Sequence, residues 1–250
     1  MGIKDRRTKI LLTFLLLPAD NRSFLHLSSD ICIVFDIVWN RKTILTVESL
    51  LSEGLLEQDP SSATPSYRLT ETGHSIGFLS FPSFRYSVEK WDGLFRILSY
   101  EIPESKRELR DRLRREVASW GLGPWHRSFW VTPHPIIPAL RKLVAQKEEE
   151  QFVQAFESTH VFGDRTELIQ KVWNTPELES AYRTLFKTWH QILSRDMDKL
   201  EKMKLVISAY VDILKEDPGL PQQLVGESWI GFEGLTLFRE IRSILLPQSP

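Results

Sequence analysis

Apolar positions in the first part of the chain recur at helical spacing. Ile10, Leu11, Phe14 and Leu15 form one stripe, which predicts a helix from Lys4 to about Leu17. Ile31, Val34, Phe35 and Val38 stand at i, i+3, i+4 and i+7 behind the cap candidates Ser28, Ser29 and Asp30, and predict a second helix. After a tight break at Asn40 and Arg41, a third helix is expected from Thr43 to Glu53, with Val47, Leu50 and Leu51 inward and Gly54 at its end. Leu55 and Leu56 then begin a strand, residues Asp59 to Ser66 make a polar loop holding two prolines, and Tyr67 to Leu69 return as its partner. Residues 73–90 mix Phe78, Phe81, Phe84 and Tyr86 with serine and proline. So many rings would not stay solvated, so this stretch reads as a packed connector and not as a flexible linker.

The middle of the chain alternates in character. Leu94 to Ile102 is aromatic and β-branched and closes at Pro103, which has no N–H to give to a sheet. Leu109, Leu113, Val117 and Trp120 follow at helical spacing until Gly121 and Gly123 stop the helix. A second β-rich run covers Ser128 to Thr132, a second helix Ile136 to Gln146, a turn Glu148 to Glu150, and a last strand Gln151 to Thr159. Strand, helix, strand within this length is the signature of a split βαβ, ferredoxin-like module.

From Gly163 the period is helical throughout. Asp164 with Glu167 resembles a capping box, and Thr175 with Pro176 supplies a cap and a first-turn proline. Leu178, Tyr182, Leu185, Trp189, Ile192 and Leu193 share one face; Leu200, Met203, Ile207, Tyr210, Val211 and Leu214 share the next. After the break DPGLPQQLVGESW, a final helix runs from Phe232 to Leu246. The expected class is therefore α+β in three regions. Residues 1–81 give a winged helix-turn-helix, 82–162 a ferredoxin-like domain serving dimerisation or an effector site, and 163–250 a helical C-terminal domain.

Composition narrows the function classes. With 42% hydrophobic and 26% charged residues and a formal net charge of −1, the chain is of the globular kind and carries no global basic field, so nucleic-acid contact must come from a local patch. Cys32 is the sole cysteine, which removes disulfide scaffolds and cysteine-based zinc sites and fits a reducing cytoplasm. Lys4, Arg6, Arg7 and Lys9 ahead of ILLTFLLLP imitate a secretion signal. The apolar core is short, however, and no small-residue cleavage site follows Pro18. No run reaches the roughly 18 apolar residues of a membrane span.

Catalytic motifs are absent: there is no Walker-type loop, dinucleotide fingerprint, nucleophile elbow or zinc-protease pair. The histidines at 26, 74, 126, 134, 160 and 190 are scattered, and neither a metal nor a cofactor is expected. Asp92 and Glu101 flank the first central strand, where paired carboxylates could hold a hydrolytic metal but are more simply surface charges. The helix after Pro103 carries Lys106, Arg107, Arg110, Arg112, Arg114 and Arg115 among Glu108, Asp111 and Glu116. That is either a phosphate-binding ridge or a solvated face laced with i,i+4 pairs. Trp91, Trp120, Trp125 and Trp130 can likewise be an aromatic wall for a ligand or plain core.

Helix, helix, helix and then a hairpin with a polar tip is the order of a winged helix-turn-helix, whose third helix enters the major groove while the wing touches backbone. On that layout the DNA-facing candidates are Arg41, Lys42, Thr43, Thr46 and Ser49 on the helix. On or near the wing they are Ser61, Ser62, Thr64 and Arg68.

Three stretches in this order, LLSEGLLEQDPSSATPSYRLTETG, WDGLFRILSYEIPESKRELRDRLRREVASWGLGPWHRSFWVTPH and DPGLPQQLVGESWIGFEGLTLF, resemble the bacterial transcriptional repressors typified by the phenylacetate-degradation repressor, PaaX. The resemblance spans nearly the whole chain. It implies a homodimer that binds double-stranded operator DNA and is released by an aryl-acetyl coenzyme A thioester, an acyl-coenzyme A effector; no catalytic activity is expected. It does not indicate which residues bind the effector. The sequence departs from the family where arginine is expected on the third helix, since Ile44, Glu48 and Ser49 stand there; near the end, Trp229, Ile230 and Gly231 replace the expected tryptophan-proline-glycine. Two rival readings remain: a nuclease-like or integration-associated protein using Asp92 and Glu101, and a degenerate member that works through protein contacts.

Overall fold

The computed structural model describes residues 2–246 except 19 and 21. It is a mixed α+β structure with two antiparallel sheets, of order β1-β3-β2 and β5-β6-β4-β7. Contacts divide it into two compact units, one made of residues 1–80, 181–215 and 230–250, the other of residues 81–180 and 216–229.

The first unit opens with α1 (Arg6–Leu16), capped by the Asp5 carboxylate, which accepts from the Thr8 amide. Ile10, Leu11, Leu12 and Phe14 are buried. A two-residue strand β1 (Leu25–His26) precedes α2 (Ser29–Val34), which Ser28 caps as expected. This helix ends earlier than its apolar spacing suggests. Asp36 adopts φ 52°, a left-handed turn that few non-glycine residues take, so Val38 leaves the buried stripe and is 67% exposed. Lys204 from α9 (Lys199–Leu214) pairs with the Asp36 carboxylate at 2.5 Å, and Lys9 donates to its carbonyl.

Next come α3 (Arg41–Ser52), β2 (Leu56–Gln58) and β3 (Ser66–Leu69). Leu56 pairs with Leu69 and Gln58 with Tyr67, and β1 adds to the other side of β3, with Leu25 opposite Tyr67. Where a connector was expected, the chain forms α4 (Glu71–Ser80). Its glycines argue against a helix on propensity, yet a Cβ on Gly73 would stand 2.0 Å from the Leu55 carbonyl oxygen, so close packing requires the residue that propensity disfavours.

The unit is completed by the later part of α8 (Thr175–Ser194), by α9 and by α11 (Ile230–Leu245). Trp189 meets Tyr210 edge-on at 5.3 Å between ring centroids, and Tyr210 meets Phe238 at 5.2 Å. The buried Trp189 indole donates to the Val206 carbonyl at 3.2 Å, so these rings reach the interior without an unpaired N–H.

In the second unit, β4 (Phe95–Tyr100), α5 (Arg107–Ser119), β5 (Gly123–His126), β6 (Phe129–Thr132), α6 (Ile137–Val144) and β7 (Val153–Ser158) follow in β-α-β-β-α-β order. Leu98, Tyr100 and Trp130 share one face, where Arg114 of α5 lies over the Trp130 ring at 5.7 Å. On the opposite face Phe95 and Val131 are buried under Ile169 and Val172 of α7 (Arg165–Trp173) and under Leu220. Gly123 opens β5 and does not stop a helix; a Cβ there would meet Val172 at 2.3 Å. Gly121, at φ 79°, is the residue that turns the chain after α5.

The segment after α9 tucks back into this unit ahead of the short α10 (Gln222–Val225). The Asp217 carboxylate accepts from the Gly219 amide at 2.8 Å, and Gly219, at φ 63°, lies so close to Pro82 that a Cβ would come within 2.2 Å of its backbone. Beside it the Tyr86 ring stacks on His134 at 5.1 Å, and the Tyr86 hydroxyl donates to the Pro133 carbonyl at 2.6 Å.

Candidate nucleic-acid interface

The third helix is set by its ends and by one inward stripe. Asn40 caps it, its side-chain oxygen accepting from the Thr43 amide at 3.2 Å, and Gly54 at φ 68° closes it with its N–H donating to the Leu51 carbonyl at 2.9 Å. Val47 and Leu50 are buried. With about 3.6 residues per turn, the face opposite that stripe presents Arg41, Leu45, Glu48 and Ser52, flanked by Ile44 on one side and by Lys42 and Ser49 on the other.

The expected contact residues divide accordingly. Arg41 and Lys42 are exposed in the first turn. Thr43, expected to face outward, is fully buried instead, because its hydroxyl donates to the Val38 carbonyl at 2.6 Å and ties the turn before α3 to the helix. Thr46 is half-buried and donates to the Lys42 carbonyl at 2.7 Å. Ser49 donates to Glu53 at 2.7 Å, and Glu53 in turn receives both terminal nitrogens of Arg7 at 2.6 and 2.7 Å. These donors, Arg7 foremost, hold the Glu53 carboxyl down at about 2.

The polar loop between β2 and β3 organises itself. The Asp59 carboxylate accepts from the amide and hydroxyl of Ser61 at 2.9 and 2.6 Å, and the Ser62 hydroxyl donates to the Thr64 carbonyl at 2.7 Å. Ser61, Ser62 and Thr64 are all exposed at its tip. Arg68 is not displayed in the same way: its guanidinium pairs with Glu57 on the neighbouring strand, donates to the Arg22 carbonyl at 3.0 Å and lies 4.5 Å over the Phe24 ring. It holds the sheet together more than it offers a charge.

Sequence reasoning passed over the apolar part of this surface. Leu45 is 52% exposed, and Ile44, Ile33, Val38 and Trp39 are exposed as well. A helical projection anchored on Val47 and Leu50 would have put Leu45 and Glu48 outward and Thr43 inward.

The other charged groups do not assemble a site. Asp92 takes both terminal nitrogens of Arg96, and Arg96 also donates to Glu157 at 2.9 Å. Glu101 lies past the far end of β4, so the two carboxylates flank opposite ends of the strand. Among the described residues no group of three or more His, Cys, Asp and Glu is placed to hold a metal. Of the bases at and after the start of α5, Arg107 pairs with Asp111 one turn on, whereas Lys106 pairs with Glu148, Arg110 with Glu104 and Arg112 with the buried Glu149, so most of these pairs tie the helix to other segments and only one is the expected i,i+4 lacing. Trp120 and Trp130 are buried, Trp91 packs edge-on against Phe95, and Trp125 is exposed, so the four rings form no single wall.

Comparison with known proteins assigns two regions. The PaaX protein central Cas2-like domain matches residues 88–169, and the PaaX-like protein C-terminal domain matches residues 173–250. No curated protein matches the chain. Among solved structures, the uncharacterized protein Rv0674 from Mycobacterium tuberculosis aligns over 96% of this chain and 99% of its own, at 16% identity and a TM-score of 0.49. Among the described residues, no helix is long and apolar enough to cross a membrane.

Proposed function

The chain belongs to the PaaX family, whose members are regulators of transcription and not enzymes, and we propose that it binds operator DNA through a winged helix-turn-helix formed by residues 1–81. In this reading the protein is a cytoplasmic repressor that acts as a homodimer, with residues 82–162 as a ferredoxin-like domain for dimerisation, an effector site or both, and 163–250 as the helical C-terminal domain. An acyl-coenzyme A thioester or related effector would release it from DNA by binding better to the arrangement that misplaces the wings.

The observation that carries the reading is the pairing of an exposed, capped helix with a three-stranded sheet whose hairpin tip is polar. The N-terminus of α3 brings Arg41 and Lys42 together with unpaired helical N–H groups, a combination suited to phosphate. Ser61, Ser62 and Thr64 at the loop tip are suited to backbone contacts, and Ser49 and Thr46 border the helix face. Support for the dimer comes from β7 and β6. Phe156 and Phe129, 54% and 43% exposed, lie on the part of the second sheet's Phe95–Val131 face that α7 leaves open.

Titration of a labelled duplex from the region upstream of its own gene tests the proposal. Binding should exceed that to a scrambled duplex and weaken steeply with salt; equal affinity for both duplexes, or no salt dependence, contradicts it. A second reading, action through protein contacts, has an observation of its own: beyond Arg41 and Lys42 the outward face of α3 holds Leu45, Ile44 and an acid, Glu48. Under that reading Arg41→Ala and Lys42→Ala leave function in cells unchanged while Leu45→Ala impairs it.

A further inference from the structure

A cavity of about 430 Å³ opens in the first unit, bordered by the end of α1, by β1, by the start of α2 and by the end of α11. Its size falls among small-molecule sites, roughly 300–1,000 Å³. Leu17, Phe24, Ile31 and Leu246 give it apolar walls, and Arg242 stands among them as its only Arg or Lys.

Arg242 is held in a particular way. One terminal nitrogen, Nη1, donates to the Leu17 carbonyl, which fixes the guanidinium at the cavity wall. Its Nε is buried and meets no hydrogen-bond acceptor. Nε and Nη2 form the side of a guanidinium that takes a carboxylate through two parallel N–H bonds, so the unsatisfied Nε lies on the edge whose complement is a planar anion. Burial, with Arg239 nearby, pushes the Arg242 pKa down, and the charge of an anion set against the guanidinium would offset that shift. Asp30 also borders the cavity, and its charge turns an anion away from its own wall.

From this arrangement we infer that the first unit binds a small apolar monocarboxylate, such as a single aromatic ring or a short acyl chain, with its carboxylate on Arg242 and its body against Phe24, Ile31 and Leu246. The site is separate from the DNA-facing surface proposed above. Through His26 and Ser66 it touches β1 and β3, so an occupant bears on the strand that leads out of the polar loop.

The test uses the full chain with benzoate and hexanoate as probes and benzamide and hexanamide as uncharged counterparts. Millimolar acid should raise the melting temperature by at least about 2 °C, since a ligand that prefers the native state stabilises it, and the amides should not. Arg242→Gln should abolish the shift, and so should Ile31→Trp, which fills the cavity without touching the charge. Two outcomes overturn the inference: no shift with either acid, or a shift that the amides reproduce or both variants keep. Because binding is read without DNA, failure here is distinct from failure of the operator reading.

Discussion

The imidazole of His134 donates from Nε2 to the carbonyl of Pro218 at 2.6 Å, joining positions 84 residues apart. A carbonyl can only accept, so Nε2 carries a proton, and Nδ1, buried with no acceptor in reach, is left bare in the neutral ring that burial favours. Full burial, with Arg85 and Arg96 adding repulsion, drives its pKa down to about 3. The unfolded chain protonates this residue near 6.5 whereas the native state does not, so native stability is complete above that pH and falls as pH drops from 6.5 toward 3. By pH 5 the loss from this residue is on the order of 2 kcal/mol. Urea denaturation at pH 7.5 and pH 5 should show it, and His134→Asn should flatten that part of the pH dependence.

Gly219 is irreplaceable for a related reason. Its φ of 63° and a Cβ position 2.2 Å from the Pro82 backbone leave no room for alanine. Gly219→Ala should cost about 3 kcal/mol, measured as a lower urea midpoint with an unchanged slope, whereas Gly226→Ala should cost about 1 kcal/mol. Gly226 also has a positive φ, 87°, but nothing lies within 4 Å of its Cβ position.

On the proposed DNA surface, Arg41→Ala and Lys42→Ala should each weaken binding to operator and random duplex alike. Each should lower the slope of log affinity against log salt by about one. Ser61→Ala, at the loop tip, should cost less than either. Anisotropy titrations at several salt concentrations separate these cases.

Phe156→Asp should convert a dimer to a monomer in sedimentation equilibrium while leaving the far-ultraviolet circular dichroism unchanged. Phe156 is 54% exposed on the sheet face, so a charge there would remove the apolar contact of the proposed dimer without entering the core. Phe95→Asp on the same strand pair is the contrast, because Phe95 is buried beneath α7 and its replacement should unfold the second unit.

Periodicity revealed the long elements and missed the short or constrained ones. Val47 and Leu50 located α3, Leu113 and Val117 located α5, and the stripes through Trp189 and Tyr210 located α8 and α9, because each buries one face over several turns. The two-residue β1 is too short to leave a pattern, and β5 contains glycine and proline. The early end of α2 depends on the conformation of Asp36, and α4 exists despite Gly73 and Gly77, since tertiary packing overrides propensity. At the candidate surface, Arg41, Lys42 and the serine-rich loop were legible as polar positions. The inward turn of Thr43 was legible in the spacing of Val47 and Leu50 but was passed over; only its bond to the Val38 carbonyl had no local signal. The Arg242 cavity was invisible to any local reading: its walls come from positions 17, 24–26, 28, 30, 31, 66, 242 and 246.

The way residues 216–229 return to the central strands has a consequence for biogenesis. Gly219 must reach Pro82, and Leu220 must reach Phe95 and Val131, so the middle of this polypeptide stays incomplete on the ribosome until residue 220 has emerged. Between the synthesis of β7 and that of Leu220, the Phe95–Val131 face therefore lacks the last of its apolar cover, and this interval is when it is most open to binding by other chains.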